Sequence, residues 1–256
     1  MFLWESIAFG PIHSRRLGSS LGINLQPITE KICSFNCVYC ECGWTPEKEI
    51  DTSLCYDVDT IFEAIEEKLK ICQKENIPID SITFSGNGEP TLHPDFAKII
   101  DNLLVLRKKY YPQSVITCLS NSTQLYKQDV RDALQKIENP ILKLDAGSEH
   151  LFQLIDRPVI SVSLQDILGY LSSFKGNLII QTLLLKGIID DEFVDNSSGK
   201  ELALLIGHIK QISPKNVMLY SLDRETPGKN LIKISKEELE GVAQQIREFN
   251  IQVSVY

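Results

Sequence analysis

No apolar run in this chain approaches the ~18 residues that a membrane span needs. The longest candidate, LIIQTLLLKGII, is broken by Gln181 and Lys186. The first residues, MFLWESIAFGPIHSRR, reach Glu5 before any basic residue, so the charged start of a signal peptide is missing. Basic charge is not in excess either. Lys plus Arg is 26 against 34 Asp plus Glu, a net charge of −8. That balance argues against a broad nucleic-acid track, and leaves room for a local basic pocket. Low-complexity segments and linkers are absent. These absences predict a cytoplasmic protein with no membrane partner, in which the seven cysteines are thiols or metal ligands rather than disulfides.

What is present is alternation. The 256 residues are 43% hydrophobic and 23% charged, which suits one globular domain over 1–256. Within it, 1–30 reads as an N-terminal segment with a first strand (LGINLQP), 31–43 as a cysteine loop, and 44–256 as further strand–helix units. Helices are predicted at 57–75, 94–109, 123–138, 148–155, 163–174, 198–212 and from the Ser235/Glu238 capping box to about 249. Strands are predicted at DSITFSG, SVITCLSN, PILKLDAG, NLIIQTLLLKG, NVMLYSL and IQVSVY, with 190–200 as a polar surface loop. Six strand–helix units and a closing strand point to an α/β fold, a partial (β/α)6 TIM-type barrel of parallel strands with outer helices.

The cysteine loop, KICSFNCVYCECG, places Cys33, Cys37 and Cys40 as C-x3-C-x2-C. A closed zinc site wants four ligands, usually in two knuckles, and no second knuckle follows. A [4Fe–4S] cluster is commonly held by four thiolates. With three, one iron keeps a position open for a non-protein ligand, as a catalytic metal does.

The triplet, with Tyr39 before its last cysteine, is similar to the signature of the radical S-adenosylmethionine (SAM) superfamily. The resemblance implies one [4Fe–4S] cluster on Cys33, Cys37 and Cys40, with SAM chelating the open iron. One electron then splits the sulfonium into methionine and a 5′-deoxyadenosyl radical, which takes hydrogen from a substrate. FSGNGEPTLHP resembles the family's Gly-Gly-Glu-Pro segment, so Ser85, Gly86, Asn87, Gly88 and Glu89 are expected beside the methionine amino group, where glycine lets backbone approach closely. The alternative for that segment is an ordinary turn. Ser120 and Asn121, ending the third strand, and Lys143 and Asp145, on one face of the fourth, match positions that meet the ribose and carboxylate. A buried ion pair is the alternative for Lys143. Gln181 lies mid-strand with its direction open, and the backbone near Leu219–Ser221 matches the adenine seat, with Ser221 as a contact. Asp223 and Arg224 either contact substrate or pair on the surface.

FGPIHSRRLGSSLGINLQP, GEPTLHPDF, QTLLLKG and YSLDRETPGKNL look like the branch grouped with wyosine-base (tRNA imidazoguanosine) synthases. That tRNA reaction uses an upstream cysteine cluster and a lysine that engages pyruvate; here no cysteine precedes Cys33 and no lysine precedes Lys31. Arg15 and Arg16 either hold a substrate phosphate or carboxylate or are surface charge; with Asp145 they form the candidate catalytic set. The implied partners are a small-molecule or nucleoside substrate and a one-electron donor such as flavodoxin or ferredoxin. Two alternatives stay open: an activase that makes a glycyl radical on a partner protein, and a non-catalytic iron–sulfur or metal-binding module. Of the remaining cysteines, Cys72 and Cys118 read as core. Cys42 and Cys55 are too few for a second four-cysteine cluster. His93 is expected near the cofactor, and His208 in solvent.

Overall fold

The computed structural model describes residues 2–256; Met1, the start of the expected domain, lies outside them. The chain opens with an antiparallel hairpin, β1 (Ala8–Ser14) and β2 (Gly18–Ile23). Strand–helix units follow: α1 (Val58–Lys74), β3 (Ser81–Phe84), α2 (Phe96–Tyr110), β4 (Val115–Ser120), α3 (Gln128–Gln135), β5 (Asn139–Lys143), α4 (Glu149–Ile155), α5 (Leu164–Ser172) and β6 (Ile179–Leu183). Then come β7 (Leu185–Ile189), β8 (Glu192–Asp195), α6 (Gly199–Ile212), β9 (Asn216–Tyr220), β10 (Leu231–Lys233), α7 (Lys236–Arg247) and β11 (Gln252–Val255). The main sheet runs β1-β2-β3-β4-β5-β6-β9-β11, parallel from β2 onward. Its edges are β1 and β11, so the barrel stays open, as the count of units predicts. Among the described residues, no helix is long and apolar enough to cross a membrane.

The helices form where apolar residues recur at helical spacing. Val58, Ile61, Ile65, Leu69 and Cys72 of α1 are buried, as are Leu202, Leu205, Ile206, Ile209 and Ile212 of α6. Each such side chain contributes about 1.5–3 kcal/mol on burial. At α7 the Ser235 hydroxyl accepts from Glu238 N–H at 3.1 Å, and the Glu238 carboxylate accepts from Ser235 N–H at 2.9 Å. Cys72 and Cys118 are fully buried.

Four expectations need correction. The stretch expected as a helix over 123–138 is a 3-10 turn, Thr123–Tyr126, followed by the shorter α3. NLIIQTLLLKG is two strands: β6 stays in the barrel, and β7 turns away at Leu184 into a three-stranded sheet, β10-β7-β8. The bend is held by Asn196, fully buried, whose amide donates to Asp145 O and Leu183 O (both 2.8 Å) and accepts from Leu185 N–H at 2.7 Å. The segment 190–200 is therefore not only loop, since it supplies β8 and the start of α6. His208 is half-buried and bonded to Gly147 O at 2.9 Å rather than solvated.

The barrel's inner face is polar near β2, β3 and β4. Ser20, Thr83, Ser81 and Thr117 form a buried hydroxyl chain with contacts of 2.8–2.9 Å. Leu17, at the hairpin turn, packs on Ile141, Ile179 and Met218 from the inner faces of β5, β6 and β9. The turn thus reaches across the open barrel, which brings Arg15 and Arg16 near the far strands.

Candidate active site

Cys33, Cys37 and Cys40 lie in the loop between β2 and α1, and Cys33 and Cys37 are buried. Two segments staple this loop. On one side, Ile32 N–H donates to Asn87 O at 3.0 Å, and Glu89 N–H donates to Ile32 O at 2.9 Å. On the other, Asn36 N–H donates to Asp156 O at 3.0 Å, Val38 N–H to Ile155 O at 3.0 Å, and Val159 N–H to Ser34 O at 2.9 Å. The first staple explains a glycine: a Cβ on Gly88 would sit 1.8 Å from Ile32 O, and the residue's φ is +139°.

The GNGEP segment therefore serves the cysteine loop more than the cavity. The Glu89 carboxylate is buried and accepts from Thr91 N–H (3.0 Å), the Ser120 hydroxyl (2.9 Å) and Asn121 N–H (2.6 Å). Burial pushes its pKa up, opposed by those hydrogen bonds. The Asn87 side chain accepts from Trp4 N–H at 2.7 Å and donates to Trp4 O and Pro27 O at 2.9 and 3.0 Å. It ties down the N-terminal segment, where Trp4 stacks on Phe9. Ser85 and Gly86, by contrast, line the cavity.

The thiols meet donors and positive charge. Cys33 Sγ accepts from Phe35 N–H at 3.5 Å and from the Asn121 amide at 3.6 Å. Lys31 is buried and donates to Gly43 O at 2.9 Å. Burial works to lower its pKa, but the charges of Cys40, Cys33 and Cys37 outweigh it and raise the value. Cys40 is held well below the usual thiol range by a hydrogen bond from Cys42, against burial, and by Lys31. No three His, Cys, Asp or Glu side chains among the described residues converge on one point as a single-ion site requires. Three thiolates on three separate irons of a cluster need no such point. Sulfur donors, N–H groups aimed at Cys33 and a buried compensating ammonium all suit thiolate ligation of a cluster.

Behind Cys37 lies a buried knot. Lys143 Nζ is 3.1 Å from Asp145 Oδ2 and 3.9 Å from Asp156 Oδ1, and donates to the Tyr39 hydroxyl, which donates to Asp145. The Cys37 thiol donates to Asp156 Oδ1 at 3.5 Å. Burial, joined by the Asp145 charge, pushes Asp156 up to about 7. Lys143 is thus the buried ion pair. Asp156 gave no signal in the sequence, since it follows an ordinary amphipathic helix and acquires its partners only by folding.

A cavity of about 490 Å³ opens beside the loop. Of the expected site residues it gathers Arg15, Arg16, Tyr39, Cys40, Ser85, Gly86 and Ser221. Asn87, Gly88, Glu89, Ser120, Asn121, Lys143 and Asp145 are not among its lining residues. Gln181 points inward: its Oε1 accepts from Arg16 at 3.4 Å. Ser221 Oγ donates to Leu184 O at 2.7 Å and accepts from Ile234 N–H at 2.8 Å, closing the bend toward the small sheet. Asp223 pairs with Arg15 (2.7 Å) and Lys233 (3.2 Å), and Arg224 with Glu41 (2.7 Å). His93 holds Tyr56 O at 2.8 Å and Asp95 N–H at 3.1 Å, away from the cavity. Cys42 lines the cavity with its sulfur 3.4 Å from Gly86 O, while Cys55 donates to Gln26 Oε1 at 3.2 Å.

The model of the Radical SAM superfamily matches residues 28–196, from just before the cysteine loop through β8. The chain belongs to the radical SAM superfamily. It is accordingly an enzyme of the radical SAM class, a family that uses a [4Fe–4S] cluster and SAM. It is 33% identical over 237 residues to a UPF0026 protein of Helicobacter pylori, covering 91% of this chain and 71% of that one. It is also 35% identical over 253 residues to a protein named GTPase Obg of Brachyspira hyodysenteriae. That match covers 96% of this chain but 34% of the relative, so the chain spans about a third of that protein's length. Among solved structures, a radical SAM methyltransferase from Sphaerobacter thermophilus superposes with a TM-score of 0.66 at 14% identity, over 93% of this chain and 65% of that one. TYW1 with a lysine–pyruvate adduct gives 0.60 at 17% identity, over 91% and 75%. These likenesses establish the shared fold.

Proposed function

We propose that this radical SAM enzyme holds one [4Fe–4S] cluster on Cys33, Cys37 and Cys40 and cleaves SAM reductively, to abstract hydrogen from a substrate that enters the cavity. When bound, the cluster and SAM supply a one-electron break of the sulfonium's C5′–S bond, releasing a 5′-deoxyadenosyl radical. The chain's residues supply position and charge. Lys31 offsets the thiolate charge, Asn121 and the Phe35 N–H orient Cys33, and the Asn87–Ile32–Glu89 ladder fixes the loop. Ser85, Gly86, Tyr39 and Ser221 are the proposed cofactor contacts on the cavity wall. Asn87, Gly88, Glu89, Ser120, Asn121, Lys143 and Asp145 do not line it.

One observation carries the proposal: the C-x3-C-x2-C loop is docked by backbone hydrogen bonds onto the Gly-Glu-Pro segment, with donors and a buried ammonium facing its thiols. The wyosine-synthase-like branch finds support in the N-terminal and closing motifs. The substrate side of the proposal is a small molecule or nucleoside, with a flavodoxin- or ferredoxin-type protein as electron donor.

Anaerobic reconstitution with iron and sulfide, reduction in the presence of SAM, and an assay for 5′-deoxyadenosine test it. Product is expected from the native protein and not from Cys37→Ala. Equal product from both, or none from a native protein carrying its cluster even with cell extract added, overturns the proposal.

A further inference from the structure

The chain carries a net charge of −8, yet the ionised side chains on the cavity wall run the other way. Arg15, Arg16, Arg224 and Lys233 face it against Glu41 and Asp223. Both carboxylates are taken: Glu41 by Arg224, and Asp223 by Arg15 and Lys233. Arg16 is left over. Half-buried, it makes no ion pair among the described residues. Its guanidinium lies 4.8 Å from the centre of the Tyr220 ring and donates to the neutral Gln181 amide at 3.4 Å.

Its position is built. The β1–β2 turn crosses the open barrel, anchored by Leu17 among the inner-face residues, and Ser14 Oγ accepts from the backbone N–H groups of both Arg16 and Leu17 at 3.2 Å. A guanidinium carries five N–H donors and stays charged at any working pH. Held over a ring face with one amide as its side-chain hydrogen-bond partner, it keeps N–H donors to spare for a planar or tetrahedral anion.

We propose that Arg16 seats an anionic group, carboxylate or phosphate, on the molecule that the radical attacks. That this molecule is the target of a radical rests on the proposed function; the anion seat does not. Gln181 positions the guanidinium and, being uncharged, leaves it available.

The test is a titration of the full-length, cluster-loaded protein, unreduced, with inorganic phosphate and in parallel with acetate, followed by calorimetry. Saturable binding of one anion per chain is expected, and whichever probe binds tighter assigns the substrate's group. Arg16→Gln should weaken it by roughly 10–100-fold, the worth of a charge-assisted hydrogen bond. Gln181→Glu keeps the arginine and places a carboxylate beside it; it should weaken binding to the same degree, which separates occupancy of the seat from damage to the turn. Arg15→Gln should leave the affinity within about threefold, because that arginine is already paired at an exposed site. No saturable binding, or binding indifferent to both Arg16→Gln and Gln181→Glu, overturns the proposal. So does competitive displacement of the anion by SAM, which would make the seat the cofactor's. Because no step needs reduction, anion binding without 5′-deoxyadenosine formation would refute the proposed function and leave the seat standing.

Discussion

Gly88→Ala strikes the joint between the cysteine loop and the segment that supports it. Its Cβ would stand 1.8 Å from the carbonyl oxygen of Ile32 and 2.5 Å from its carbon, both backbone atoms. A flexible side chain could swing aside; a backbone carbonyl bonded to Glu89 N–H at 2.9 Å cannot. The φ of +139° is glycine territory, and forcing alanine to hold it costs about 1–3 kcal/mol. Relieving the overlap adds about 1–3 kcal/mol, or else the chain gives up the Ile32–Asn87 and Glu89–Ile32 hydrogen bonds at ~1 kcal/mol each. The sum, about 2–6 kcal/mol, is a large share of a typical stability of ~5–15 kcal/mol. Thermal unfolding of the unreconstituted protein should show a melting temperature lowered by roughly 10–20 °C, and reconstituted protein should retain less iron per chain. Gly207→Ala is the control. Gly207 is exposed on α6 with nothing within 4 Å of its added Cβ, so that change should stabilise by about 0.4–1 kcal/mol. Should Gly88→Ala melt and load iron as the native protein does, the docking of Gly88 on Ile32 is not what holds the loop.

Three further outcomes are expected. Asn121→Ala removes the amide that reaches Cys33 Sγ at 3.6 Å and Ser34 Oγ at 2.9 Å; iron should be lost to a chelator at about 10–100-fold lower chelator concentration, and an unchanged chelation curve would count against the contact. Lys143→Met strands Asp145 and Asp156 in the interior, at a cost of about 3–5 kcal/mol measured by urea unfolding; a loss below about 1 kcal/mol, the worth of an exposed pair, would contradict the buried knot. His93 is held below its ordinary pKa of 6.5 by burial, against the Tyr56 carbonyl and Asp95. The folded state therefore binds the proton less readily than the unfolded chain, so this residue's contribution is whole above about pH 6.5 and is lost as pH falls through its lowered folded value. His93→Gln should flatten that acid limb of stability against pH, and an undiminished slope would assign it to other groups.

The barrel was legible because its evidence is local and periodic. Apolar stripes marked α1, α2 and α6, and the triplet with Gly-Glu-Pro marked the site. What the sequence hid are features defined by distant partners. β1 escapes a periodicity search because Gly10, Pro11 and His13 break its alternation and its register shifts between Phe9 and Ile12. A continuous apolar run cannot show a bend, so the turn at Leu184 had to wait for Asn196, eleven or more residues on, to satisfy the backbone there. The same cause hides where the motif's side chains go. Motif spacing tells which residues belong together, and says nothing of which way each faces. Glu89 and Asn87 carry more hydrogen-bonding capacity than a substrate-facing residue can leave unused, and the fold spends it on Thr91, Ser120, Asn121, Trp4 and Pro27. Arg16 is the reverse case: its sequence context cannot separate surface charge from ligand contact, while the fold pairs the Glu41 and Asp223 side chains with other cations and leaves this guanidinium with the Gln181 amide and the Tyr220 ring.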